Sequence, residues 1–331
     1  MSDFRMDFEK SIIEIEKKID ELKKFTESKE IDFSEEIKKL EAKAEWMKKD
    51  VYGRLSPWQR MQVAKNLKRP RSLDYIQKVF EDYIPLHGDR LFKDDPAVVG
   101  GLAFFEGTPV IVIGHQKGKE TKEHIYRNFG MPNPEGYRKA LRLVQMAERF
   151  NRPVITFVDT PGAFPGIGAE ERGQAEAIAR NLKELSGART PIIVIVHGEG
   201  GSGGALGIAI GDKILMLENA VYSVISPEGC AAILWKDSKR SADASVFLKM
   251  TAQDLLEQGV IDEVIKEPAG GAHRDHDEMS RNIKTAIRKS LKELMKLNKD
   301  ELVEYRYKKF RAMGKFLEIT EENKNTVATS L

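Results

Sequence analysis

The chain has a single cysteine, Cys230, among 331 residues. One thiol excludes an internal disulfide and any zinc site built from several cysteines. Long apolar runs are missing too. The longest, such as 192–196, fall far short of the ~20 residues a membrane helix needs. The first twenty residues alternate charge with isolated apolar positions, so no signal peptide is expected. Charge of one sign is also absent: 54 basic against 52 acidic side chains leave a net charge of +2, which gives no global pull toward nucleic acid. The 41% of hydrophobic residues excludes global disorder, and the length allows one large domain or two ordinary ones. A soluble, cytoplasmic protein with neither a membrane nor a nucleic-acid partner is expected.

Three segments differ in texture. Residues 1–69 read as helical. Apolar positions fall at Phe8, Ile12, Ile15, Ile19 and Leu22, then at Phe33, Ile37, Leu40, Ala44, Met47 and Val51. Both series step four and three alternately, the seam of helices that pack as a hairpin or coiled coil. Residues 26–31 are the expected loop, and Asp32 with Glu35 predicts a capping box for the second helix. Residues 70–268 form the expected core. From about residue 98 short β-branched runs recur, at 109–113, 153–158, 191–196, 213–217, 221–225 and 260–265. Helical patterns at 137–150 and 175–185 lie between them, which predicts an α/β sheet with helices on its faces. In residues 269–331, Met279, Ile283, Ile287, Leu291 and Leu294 mark a closing helix followed by a charged tail.

Three strands run into glycine- or proline-rich turns. They are Asp159-Thr-Pro-Gly-Ala-Phe-Pro-Gly-Ile-Gly168, His197-Gly-Glu-Gly-Gly-Ser-Gly-Gly-Ala-Leu206 and Ser226-Pro-Glu-Gly-Cys230. In α/β folds ligands gather at the carboxyl ends of strands, where helix N-termini offer unpaired N–H groups. A single such turn is adequately explained as a tight bend. Three in one domain predict a common active-site rim.

The second turn satisfies several loose patterns. Gly198, Gly200 and Gly203 match the dinucleotide fingerprint with Glu218 twenty residues on, but the following helix has room only between Gly204 and Gly211. Gly200, Ser202 and Gly204 match a nucleophile elbow, yet the downstream His273 and His276 sit in a polar, loop-like stretch. No Gly-Lys-Ser/Thr follows, so a phosphate loop fails. A remaining reading needs no reactive side chain: backbone N–H groups at a helix start form an oxyanion hole.

The blocks Gly114-His-Gln-Lys-Gly-Lys-Glu-Thr-Lys122, Arg127-Asn-Phe-Gly-Met-Pro132 and the three turns together closely resemble the carboxyltransferase alpha subunit of bacterial acetyl-coenzyme A carboxylase. The resemblance runs essentially the whole chain, to Gly270-Gly-Ala-His273; His197, where an apolar residue is expected, and the tail after Gly314 depart from it in detail. It implies a crotonase-like spiral of ββα units, with an N-terminal helical hairpin and C-terminal helices. It implies transfer of a carboxyl group from carboxybiotin, on the biotin carboxyl carrier protein, to acetyl-CoA, giving malonyl-CoA for fatty acid synthesis. The implied partner is a beta subunit with a four-cysteine zinc ribbon, in an α2β2 assembly, alongside a biotin carboxylase that uses ATP. No tightly bound cofactor or metal is expected in this chain.

The same resemblance places the biotin oxyanion hole at the amides of Gly203 and Gly204, with Ala205 as neighbour. Pro161, Gly162, Ala163, Ser202, Glu228 and Gly229 would line that pocket. Lys117, Lys119, Lys122 and Arg127 form a cationic cluster that either attracts the carboxylate of carboxybiotin or coenzyme A phosphates, or is a solvated loop. His115, at a strand end, reads as hydrogen-bonded structure. The run Arg306-Tyr-Lys-Lys-Phe-Arg311 reads as a solvated helix end rather than a nucleic-acid element. His273 and His276 lack a strong third ligand, so no metal is assigned. A stand-alone crotonase-like acyl-CoA hydratase or isomerase is the alternative, with Glu199 and Glu228 as its nearest acids.

Overall fold

The computed structural model describes residues 6–29 and 32–314. Near the N-terminus, helices Lys10–Lys29 and Ser34–Gly53 lie antiparallel. Lys23 pairs with Glu41 at 2.7 Å and Lys48 with Glu16 at 3.1 Å, and Ile12, Ile19 and Ala44 are buried along the seam. The first helix continues through Lys29, later than the expected loop over 26–31, whose last two positions lie outside the described residues. The expected capping box is not formed. Phe33 occupies the cap without a side-chain hydrogen bond, and the Asp32 carboxylate instead accepts the Ser34 amide at 2.9 Å.

The core is one eight-stranded sheet. Its strands are β1 (Glu81–Pro85), β2 (Val98–Phe105), β3 (Thr108–His115), β4 (Val154–Thr160), β5 (Ile192–Gly201), β6 (Lys213–Leu217), β7 (Val221–Ser223) and β8 (Glu263–Ile265). The order is β1-β2-β3-β4-β5-β6-β8, with β7 paired to β5. β1, β2 and β3 are antiparallel and the remaining pairs are parallel. β1 and β2 lack a clear sequence signal for physical reasons. β1 is exposed at four of its five positions, and Gly100 and Gly101 interrupt β2, where glycine weakens strand propensity. A side chain at Gly101 would strike the Ile84 carbonyl oxygen at 2.0 Å, so the close approach of β1 requires it.

β4 and β5 are buried along almost their whole length, as expected of parallel strands covered on both faces. Helices Pro134–Arg149 and Gln174–Gly187 pack together over this region. The C-terminal part is more than a helix and a tail. His276–Leu294 is followed by a second helix, Lys299–Arg311, which Asn298 starts by accepting the amides of Asp300 and Glu301, both at 3.0 Å. Arg306 is not solvated. It is fully buried, grips Asp212 at 2.9 and 3.0 Å and donates to the carbonyls of Leu185, Ala188 and Thr190. With a longer contact to the Ser186 carbonyl at 3.4 Å, this arginine meets six acceptors and fastens the last described helix to the core. The residues after Gly314 lie outside the described residues.

Candidate active site

The second glycine-rich turn begins inside β5. Val158 pairs with Val196 and Thr160 with Gly200, so β5 advances four positions while β4 advances two. The extra residues bulge, and bulged strands leave backbone groups without ladder partners. Two buried side chains meet that need. Arg69 donates to the His197 carbonyl at 2.8 Å, and the Asp159 carboxylate accepts the Glu199 amide at 2.9 Å. Past the bulge, residues 199–201 leave β6 behind and pair with β7, so the sheet turns a corner here.

This packing explains the glycines. A Cβ on Gly198 would lie 2.3 Å from Asp159 Oδ1, and one on Gly200 would lie 2.7 Å from the Tyr222 ring. One on Gly201 would meet the Pro161 carbonyl oxygen at 2.2 Å. Gly198 and Gly200 therefore match the dinucleotide pattern for reasons of close packing within a strand, and Gly203 falls in the helix that follows. The helix Ser202–Leu206 follows at once, and its first N–H groups have no intrahelical partners.

Asp159 is the hub of an ionic network. Lys117 Nζ lies 2.6 Å from Oδ1 and Arg71 Nη1 3.2 Å from Oδ2. Burial alone would raise the Asp159 carboxyl, but the charges of Lys117 and Arg71 outweigh it and hold the group below the usual carboxylate range. Lys117 also reaches Glu199 Oε2 at 2.5 Å. Lys65, just after the helix Pro57–Ala64, stands 3.9 Å from Glu199 Oε1 and 3.4 Å from Glu228 Oε1.

The three turns do meet. A cleft of about 100 Å3 is walled by Pro161 from the first, by Gly200, Gly201 and Ser202 from the second, and by residues 223–226 leading into the third. Met61 and Lys65 close it from the N-terminal side. Within it Ser202 is exposed and adopts a left-handed φ of 49°, a strained conformation for a non-glycine residue. No histidine lines the cleft, so among the described residues Ser202 has no base and the elbow reading lacks its second member.

The other expected site residues are placed as follows. Gly203 is half-buried with open space beside it, its nearest neighbour being Ile178 at 3.9 Å. Gly204 and Ala205 are buried: the backbone of Gly162 and Ala163 lies over Gly204, 2.4 Å from where a Cβ would sit. Gly229 lies in the first turn of the helix Pro227–Trp235, its amide donating to the Ser226 hydroxyl at 3.1 Å. Glu228 reaches the cleft only through Lys65. The cationic cluster divides. Lys117 is buried and doubly ion-paired rather than open to a ligand, Lys119 pairs with Asp74 at 2.6 Å, and Arg127 pairs with Glu123 at 2.8 Å. Lys122 remains exposed.

His115 is fully buried, and its ring lies beside the Gly204 backbone, a contact that falls short of full hydrogen-bond geometry at either nitrogen. Burial pushes its pKa down to about 3, so the ring is neutral. His197 is likewise held neutral by burial, at about 4, while its Nε2 meets the Ser72 hydroxyl at 3.0 Å. His273 lies 3.8 Å from Glu9, and His276 faces the Lys68 carbonyl at 3.2 Å. No group of three candidate metal ligands occurs among the described residues, and no described helix is long and apolar enough to cross a membrane. Arg69, Arg71, Asp159 and Lys65 escaped the sequence reading. The Asp that opens the first turn was the only available signal.

Comparisons agree with this architecture. A family model described as acetyl co-enzyme A carboxylase carboxyltransferase-like matches residues 5–314. The acetyl-coenzyme A carboxylase carboxyl transferase subunit alpha of Geobacter metallireducens is 59% identical over 317 residues, covering 96% of this chain and 99% of the relative. Among solved structures, transcarboxylase 12S aligns with a TM-score of 0.55 at 18% identity, over 76% of this chain and 44% of that one. The beta subunit of P. aeruginosa geranyl-CoA carboxylase aligns with a TM-score of 0.53 at 16% identity, over 80% and 48%. These distant likenesses show the fold, which is crotonase-like.

Proposed function

The chain belongs to the family of acetyl co-enzyme A carboxylase carboxyltransferase-like proteins, and from that premise we propose how its cleft serves the reaction. Its function is that of the carboxyltransferase alpha subunit of acetyl-CoA carboxylase. The relatives support this reading and not a stand-alone hydratase. An alpha subunit implies a beta partner. In our reading the two form an α2β2 assembly in the cytoplasm, with the zinc ribbon on beta. Carboxybiotin arrives on the biotin carboxyl carrier protein, charged by an ATP-dependent biotin carboxylase.

In the proposed mechanism carboxybiotin releases carbon dioxide and leaves negative charge on its ureido oxygen. The biotin enolate takes a methyl proton from acetyl-CoA, and the resulting carbanion attacks the carbon dioxide to give malonyl-CoA. Both anions need preorganised donors and no titrating residue. The observation that carries this reading is the start of the helix Ser202–Leu206 at the cleft, where three turns converge. Its N–H groups lack intrahelical partners, and the positive end of the backbone dipoles faces the anion. Gly203 is the open member of the hole. Gly204 and Ala205 stand behind it, beneath the turn formed by Pro161, Gly162 and Ala163.

The test is Gly203→Val in the complex reconstituted with beta. Open space at Gly203, where a side chain would face Ile178, lets the variant fold, and in our reading its bulk displaces the amide that meets the ureido oxygen. Loss of such a donor costs about 100- to 1,000-fold in turnover. A folded, beta-bound variant with normal turnover would overturn the assignment.

A further inference from the structure

Lys65 is the one basic side chain among the described residues lining the cleft. Its position follows from local structure. The helix Pro57–Ala64 is started by a capping box between Ser56 and Gln59 and anchored by the buried Met61, Val63 and Ala64. Lys65 follows directly, its amide donating to the Met61 carbonyl at 3.1 Å, with 37% of its side chain exposed. Two carboxylates surround its ammonium, but neither holds it firmly. Glu199 is 3.9 Å away and already paired with Lys117, at 2.5 Å, through its other oxygen. Glu228 is 3.4 Å away through Oε1, while its Oε2 is buried with no partner.

Charge accounting in the cleft singles out this pair. Lys117 and Arg71 together balance Asp159 and Glu199 behind the glycine turn. That leaves Lys65 and Glu228 as a loose outer pair, in partial solvent, where an ion pair contributes little. A carboxylate brought by a substrate competes well for such a lysine, because it replaces a long contact with a short, charge-assisted one.

We propose that Lys65 binds the carboxylate that is being transferred, with Glu228 as the internal group it releases. The proposal rests on the carboxyltransferase reading above. The carboxylate enters on carboxybiotin in the forward direction and on malonyl-CoA in reverse, and Lys65 is a binding residue for whichever of them presents it to this wall of the cleft.

The experiment uses Lys65→Met and Lys65→Arg in the full complex with beta. Forward rates are measured with the carboxylated biotin carrier, using uncarboxylated carrier as competitive inhibitor, and reverse rates with malonyl-CoA, using acetyl-CoA as inhibitor. Wild-type activity in both directions establishes the underlying reading by itself. Lys65→Met should then raise KM for a carboxylated substrate about tenfold or more, the worth of one charge-assisted hydrogen bond. The Ki of its uncarboxylated counterpart should stay within twofold, and Lys65→Arg should recover most of the loss. A rise confined to the carrier assigns the biotin side, and one confined to malonyl-CoA assigns the acyl side. Unchanged KM values in both directions, or equal rises in KM and Ki, would overturn the proposal.

Discussion

The carboxylate of Asp159 accepts the backbone amide of Glu199 at 2.9 Å. That contact joins the end of β4 to the bulge of β5 and fixes the distance between two of the turns that wall the cleft. The same carboxylate neutralises Lys117 and Arg71, all within the buried interior. Asp159→Ala should therefore cost ~3 to 5 kcal/mol, because buried Arg71 loses its carboxylate and buried Lys117 keeps only Glu199. Asp159→Asn should retain the amide contact but still lose most of the electrostatic part. Urea unfolding of the two variants checks this, and a loss under 1 kcal/mol for both would contradict it.

Neighbouring glycines should differ sharply. Gly204→Ala places a methyl 2.4 Å from the backbone of Gly162 and Ala163, where no rotamer change gives relief. The turn over the helix must move, at about 1 to 3 kcal/mol. Gly203→Ala meets only Ile178 at van der Waals distance and exchanges glycine for a better helix former, so its melting temperature should equal or exceed that of the wild type. Thermal melts of the two variants decide this.

Stability should fall on mild acidification, through two histidines. His115 and His197 have folded pKa values of about 3 and about 4 against the ordinary 6.5. Below pH 6.5 the unfolded chain therefore binds protons that the folded chain refuses, and stability drops as pH falls. Between pH 7 and 5.5 each histidine costs about 1 kcal/mol. Asp95, which burial raises to about 6, works in the opposite sense and returns less than ~1 kcal/mol over that interval. His197→Gln should remove about half of the histidine contribution, as measured by urea unfolding at the two pH values. An unchanged slope would contradict the buried, neutral assignment.

The strands of the parallel region and the meeting of three turns were legible in the sequence because both leave local marks, in continuous apolar runs and in glycines at strand ends. The polar interior was not. Arg69, Arg71, Lys117 and Arg306 each carry a charge that composition assigns to the surface. Their partners Glu267, Asp159, Glu199 and Asp212 lie 42 to 198 residues away, so no periodicity links them. Lys65 was missed for the same reason: it reaches the cleft from a helix well before the core strands. The glycines were found but partly misread. Gly198 and Gly200 lie within a strand and make room for Asp159 and Tyr222, and the helix start itself falls to Gly203 and its neighbours.

We propose that this cleft is half of a carboxyltransferase site and works only when beta completes it. The most direct measurement is malonyl-CoA-dependent carboxylation of biotin or of its carrier protein, by the purified chain before and after titration with a zinc-ribbon beta subunit. The chain alone should show no turnover above background, with activity rising as beta is added and saturating at equal subunit concentrations. Robust transfer by the chain alone, or none at saturating beta with both proteins folded and assembled, would contradict it.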